Sequence, residues 1–174
     1  MNIKYNEDVD APDVYDAENK VEVPEHYQFS AFDECKDFTE ALTTSHYWFE
    51  RGGEMAMIEP ILLYRQRCNA TSAAGYEARG LSVRLNEQHY NVLIICHELA
   101  HIMATFRHSV SQGHSKLFRT EYLSLVKYVS PDLASQLAEK FSEADLDWEV
   151  DTQAWDAPKF VYDFNKRING AIAL

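Results

Sequence analysis

YEARGLSVRLNEQHYNVLIICHELAHIMATFR, residues 76–107, changes its hydrophobic period part-way along, and that change decides the fold. Leu81, Val83 and Leu85 alternate with Ser82, Arg84 and Asn86, the pattern of a strand with one buried face. After Asn86, which can cap a helix, the spacing turns helical and stays so to about Arg107. A half-buried strand therefore leads directly into an apolar helix, which makes the chain α+β. That helix carries His97-Glu98-Leu99-Ala100-His101.

Four residues advance a helix by about 400°, so His97 and His101 leave one face about one turn apart. Two imidazoles so placed can reach one metal ion at the ~2.0–2.1 Å that zinc requires. Glu98 is turned by about 100° from His97, near the metal without binding it. There it can take a proton from water that zinc acidifies to a pKa of about 7. The spacing is what metal-assisted hydrolysis needs, with Zn²⁺ as cofactor and Glu98 as general base. The competing reading is a surface helix with two stacked histidines and a solvated glutamate. The strand-then-apolar-helix context weighs against it. Cys96 is turned off the metal face and reads as packing.

A catalytic zinc takes a third protein ligand and keeps one position open. Ala104 and Arg107 stand where the metzincin pattern needs a glycine and a histidine, so that class fails. His108 shares the face of His101 but lies about 10 Å farther along the axis. His114 follows a polar loop at 109–113 and opens the next helical stretch after Gly113; it is the favoured third ligand. Glu121, 20 residues after His101, has the spacing by which thermolysin-like enzymes supply a glutamate, and is the alternative. On one helix the two stand two turns apart on one face, so the residue that does not bind metal can orient a ligand.

Outward from this centre, Phe32, Cys35, Phe38, Leu42, His46 and Phe49 predict one helix, stopped by Arg51-Gly52-Gly53. Stretches 61–68 and 76–85 predict strands around a turn-rich segment at 69–75. Lys116–Val129 predicts a helix, and Ser130-Pro131, a cap followed by proline at the first helical position, opens another to about Ser142. Three regions follow: an extended, solvated acidic lead-in over 1–28, a domain over 29–143, and an acidic then aromatic segment over 144–174. Trp148 and Trp155 can seat that last segment on the core. Tyr76, Tyr90, Tyr122 and Tyr128 are candidate donors to a developing oxyanion, and Arg79 and Arg84 flank the strand that would hold a peptide. His26, His46 and His89 lack ligand spacing.

At 174 residues, with 46% hydrophobic and 13% aromatic, the chain suits one domain with a real core. The net charge of −12 argues against nucleic acid and anionic membrane as partners, but it is unevenly spread. Residues 1–25 carry eight carboxylates and two lysines, and 143–156 carry six carboxylates and no base. The charge therefore belongs to two flanks. Residues 26–142, with 13 acids and 11 bases, have no positive excess to hold DNA. Cys35, Cys68 and Cys96 lack C-x-x-C spacing and read as free thiols in a reducing cytoplasm. Residues 1–10 do not resemble a signal peptide, and the most apolar segment, 91–104, is too short to span a bilayer.

HELAHIMATFRHSVSQGHSKLFRTEYLSLVKYV, residues 97–129, resembles the small HExxH metallohydrolases of actinobacteria and their phages. In these HELAH is followed by a histidine-bearing HGxxF-like element and a long helix. Val14-Tyr15-Asp16-Ala17-Glu18, FDECKDFTEAL at 32–42 with Trp48-Phe49, and Gly75-Tyr76-Glu77-Ala78 extend the likeness over most of 13–143. The resemblance implies a minimal zincin-like fold. Its small, mostly antiparallel or mixed sheet would pack against an active-site helix and two or three further helices. It also implies His97 and His101 as zinc ligands, Glu98 as base and His114 as the third histidine, with Ser115 where a glycine commonly follows. The layout is similar to that of SprT-like proteases, which cut proteins crosslinked to DNA. The resulting expectation is a cytoplasmic zinc metallopeptidase acting on a peptide or protein. The other readings are a non-enzymatic, metal-stabilised interaction protein with the acidic flanks as its surface, and a DNA-linked protease of the SprT kind.

Overall fold

The computed structural model describes residues 8–58, 61–66, 72–77, 80–87, 90–108, 113–150 and 160–164. Among them the chain forms α1 (Ala11–Asn19), a 3₁₀ turn (Glu25–Tyr27), α2 (Phe32–Thr43), α3 (His46–Ile58), β1 (Ile61–Gln66), β2 (Ala73–Glu77) and β3 (Gly80–Asn86). α4 (Val92–His108), α5 (Lys116–Val129) and α6 (Pro131–Glu143) follow. The fold is α+β with a small mixed sheet in the order β1-β3-β2, as expected. β1 runs parallel to β3, and β2 antiparallel to it.

On β3, Leu81, Val83 and Leu85 are buried as the alternation predicts, but of the polar positions between them only Arg84 is exposed, and Ser82 and Asn86 are buried too. The stretch 76–85 is two strands rather than one: β2 and β3 form a hairpin in which Glu77 pairs with Gly80 and Ala73 with Arg84. α4 is apolar almost all round, with Val92, Leu93, Ile95, Cys96, Leu99, Ile102 and Met103 buried, which makes it the central helix. It packs against α5, α3, β2 and β3. Its cap is Asn91, whose Oδ1 accepts the Ile94 N–H at 3.0 Å; Asn86 instead ends β3. α6 opens as its spacing predicts, Ser130 Oγ accepting the Leu133 N–H at 3.3 Å with Pro131 behind it.

The pattern at 32–49 resolves into two helices. The hydroxyls of Thr43, Thr44 and Ser45 turn back to the carbonyls of Thr39, Glu40 and Leu42 at 2.7–2.8 Å, closing α2. Ser45 Oγ then accepts the Trp48 N–H at 3.2 Å and starts α3. α3 passes through Arg51 and Gly52 and breaks direction at Gly53, whose φ of 60° and ψ of −147° suit glycine.

The region read as an extended lead-in contains α1, which packs on α6 and buries Val14 and Ala17. Pro12 fits the first helical turn, but nine residues are too few for a period to stand out, and tertiary contacts stabilise so short a helix. Beyond α6, Leu146 is buried and Trp148 packs on Phe141, while Phe160, Tyr162 and Phe164 gather round Phe38. Trp155, Cys68, Arg79 and His89 lie outside the described residues. No helix among the described residues is long and apolar enough to cross a membrane.

Candidate metal centre

α4 presents His97 and His101 one turn apart, and the chain returns at Gly113 to place His114 against them. The three ring centroids stand 5.1, 5.0 and 4.8 Å apart, a nearly equilateral triangle. One nitrogen from each ring lies within 4.8 Å of the others. Phe118, fully buried one turn into α5, touches all three rings and stacks on His101 at 4.3 Å. The imidazoles are thus held on an apolar floor.

Carboxylates stand behind two of them. Asp8 accepts from the backbone N–H of His114 at 3.0 and 3.1 Å and from its Nδ1 at 2.6 Å. Gly113 makes room for this. Its φ is +54°, and a Cβ there would lie 2.8 Å from Asp8 Oδ2. Glu18 places Oε2 3.3 Å from His97 Nδ1, a charge contact without the alignment of a hydrogen bond. It also accepts from the hydroxyl of the buried Tyr122. With both Nδ1 atoms turned to carboxylates, the Nε2 atoms of His97 and His114 face each other at 3.1 Å. At that distance the two nitrogens can share one proton in a hydrogen bond or, with both rings protonated on Nδ1, point their lone pairs at one metal ion. Tetrahedral zinc at ~2.0–2.1 Å from each nitrogen would set them about 3.3 Å apart, so the residues fit zinc.

The protonation states agree with this geometry. Burial, reinforced by His97 and His114, pushes His101 down to about 2, so it stays a neutral donor of its lone pair. Burial also lowers His114, against the pull of Asp8. For His97, burial works against charge, but Glu18 beside it raises the imidazole above its usual value. Burial pushes Glu18 up, and His97 more than reverses this and holds it below the usual carboxylate range. Burial pushes Glu98 up to about 7, against His97 and a hydrogen bond from the Ala74 backbone on β2. Burial drives the Cys96 thiol well up, so it stays a packing group rather than a thiolate ligand.

Glu121 is elsewhere. It is fully buried between two arginines, Arg51 Nε at 2.5 Å and Arg107, with His108 3.9 Å away. The structure therefore brings His114, and not Glu121, to His97 and His101. His26 packs on Tyr27 and Phe164, and the exposed His46 sits 3.3 Å from Glu50.

Sequence reasoning missed Asp8, Tyr15, Glu18 and Arg119. Tyr15 stacks on His97 at 5.4 Å and meets His114 edge-on at 4.9 Å, half-exposed at the mouth of the cluster. Burial and the nearby Glu98, Glu18 and Asp8 push its hydroxyl up to about 12, so it remains a donor. Of the tyrosines weighed from sequence, Tyr122 is spent on Glu18, Tyr128 stacks on Tyr47, and Tyr90 packs near Phe32. The signal available for Tyr15 was its three-residue step to Glu18 on α1. Arg119, buried in α5, donates to the His114 carbonyl at 2.8 Å, to Asp10 at 2.6 Å and to Asp147 at 2.7 and 2.8 Å. One guanidinium thus ties both acidic flanks to the loop that carries His114.

No protein-family model matches the chain, and neither a curated protein nor a solved structure matches it.

Proposed function

We propose that the protein is a cytoplasmic zinc-dependent metallopeptidase, with His97, His101 and His114 holding the metal and Glu98 as the general base. The observation that carries this reading is the facing pair of Nε2 atoms at 3.1 Å, each on an imidazole whose Nδ1 is turned to a carboxylate. Carboxylates in that position fix the tautomer and raise the basicity of metal-binding histidines. The zinc ion, when bound, supplies a Lewis acid that polarises a carbonyl and acidifies water. Glu98, next to His97 and buried against β2, takes a proton from the attacking water and returns it to the leaving amine. Tyr15 offers a protonated hydroxyl at the mouth, where it can donate to the oxygen that becomes charged. The resemblance of residues 97–129 to small HExxH metallohydrolases supports the same class. Cys35 and Cys96 are buried and form no disulfide, which suits a reducing compartment.

The test is metal analysis of protein expressed in zinc-replete medium, followed by hydrolysis of a peptide library. Wild type is expected to hold one zinc and cut peptides. Glu98→Gln should keep the zinc and stop cutting, and His101→Ala should lose both. Zinc-free wild type overturns the metal centre. Glu98→Gln with undiminished hydrolysis overturns the base, and zinc-loaded wild type that cuts nothing favours the metal-stabilised interaction protein.

A further inference from the structure

A cavity of ≈ 440 Å³ is lined by His97 and Glu98 of the HExxH segment, with neither His101 nor His114 in its lining. Its walls come from the segment after α1, with Val21 and Val23, and from the first turn of α4, with Leu93 and Ile94. Volumes of this order hold a large side chain with space to spare. Glu18 and Tyr15 also line it.

What the pocket offers a guest follows from which of its polar groups are already engaged. Ser72 Oγ accepts the backbone N–H of Asn86 at 3.2 Å. Asn91 Oδ1 accepts from Ile94 as the α4 cap. Glu18 is held by Tyr122 and His97. These three side chains thus each have an acceptor engaged by the fold. Val21, Val23, Leu93 and Ile94 supply the aliphatic surface a guest would meet, beside Asn19 and Tyr15. The two carboxylates on the inner side, Glu18 and Glu98, repel an anionic guest.

We infer that this cavity is the substrate's side-chain subsite, and that it selects an uncharged aliphatic side chain next to the bond cut at the metal centre. The inference rests on the metallopeptidase reading and deepens it. An aliphatic group gains from leaving water against Val21, Val23, Leu93 and Ile94, whereas a carboxylate would lose its hydration beside Glu18 and Glu98.

Hydroxamates bound to the zinc-loaded protein test this without requiring turnover. Isothermal titration would compare acetohydroxamate, which carries no side chain, with 4-methylpentanohydroxamate, 6-aminohexanohydroxamate and succinyl monohydroxamate. The isobutyl-bearing probe should bind on the order of tenfold or more tighter than acetohydroxamate. The carboxylate probe should show no such gain, and the ammonium probe, which loses more hydration on entry, should gain less than the isobutyl one. In Val23→Asp the ratio of the isobutyl probe to acetohydroxamate should fall towards one. Ile94→Gln, on the facing wall, makes the same test should Val23→Asp fail to fold. Equal affinities for the isobutyl probe and acetohydroxamate, a preference for the ammonium probe, or a ratio that survives both substitutions overturns the subsite. In those cases bound zinc and acetohydroxamate leave the metal centre standing. Protein that takes up no zinc, or whose zinc does not bind acetohydroxamate, overturns the metallopeptidase reading itself and the subsite with it.

Discussion

Helices α4 and α5 share two buried polar clusters that answer burial in opposite ways. At one, Asp8 and Glu18 touch the outer nitrogens of His114 and His97, and the inner nitrogens are left aimed at one another. At the other, Glu121 lies between Arg51 and Arg107, and Arg51 also reaches Ser124 at 3.4 Å. Both clusters combine carboxylates with nitrogen bases. In the first the carboxylates stand behind the nitrogens and leave a centre that attracts a cation. In the second the carboxylate is the centre, and guanidinium donors close it. Glu121 is thus spent on holding α3 to α4 and α5, and His114 alone is free to join the α4 histidines.

The sharpest way to break this comparison is to remove each centre in turn. Glu121→Ala leaves Arg51, which is 2% exposed, as a buried charge without its carboxylate. The expected loss of stability is about 3–5 kcal/mol, read from the urea midpoint. Zinc content of the molecules that remain folded should be unchanged. His114→Ala should do the reverse: nearly wild-type stability without zinc, and a loss of the stabilisation that zinc confers, about 2.7 kcal/mol at a hundredfold excess over Kd. Should Glu121→Ala abolish zinc uptake while the urea midpoint stays put, the division of labour drawn here is wrong.

A smaller effect probes the carboxylates behind the histidines. Glu18→Gln should weaken zinc binding by about 10–100-fold, because His97 loses the charge that orients it. Asp8→Asn should fall in the same range but nearer its lower end, since Asp8 is 34% exposed and water can replace one oxygen. Competition with a chromophoric chelator measures both. Equal zinc affinity in all three proteins would mean that these carboxylates serve the fold and not the metal.

The contrast also explains what could be read from the chain directly. His97 and His101 declare themselves by a four-residue step on a helix whose apolar pattern is strong. His114 follows from Gly113 and the helix behind it. What removes Glu121 from the choice is not local, because the residue that claims it is Arg51, 70 positions earlier. The carboxylate on His114 is 106 positions from it, on the edge of a helix too short to show a period. The acidic flanks were read as solvated, yet Asp8, Asp10 and Glu18 of the first, and Asp147 of the second, turn inward onto His114, Arg119 and His97. Their charge neutralises specific partners, which a sum over the segment cannot register. The family resemblance implied a small sheet, mostly antiparallel or mixed, and the sheet is mixed; the hairpin was read as one strand although the apolar phase shifts between Ala78 and Leu81.

Gly113→Ala sets the finest test of the His114 side. Alanine must either adopt a φ of +54° or move the loop, and its Cβ would press on Asp8 at 2.8 Å. The backbone strain should cost about 1–2 kcal/mol of stability, less than the loss of Arg51's partner. Because the crowded atom is a carboxylate oxygen at the end of a half-exposed chain, Asp8 can swing away and the fold should survive. The zinc affinity should then fall to the level of Asp8→Asn, and combining the two substitutions should weaken binding no further, since both remove the same contact. A double variant that binds zinc markedly worse than either single one would show that Gly113 positions His114 by the loop's own path, independently of Asp8.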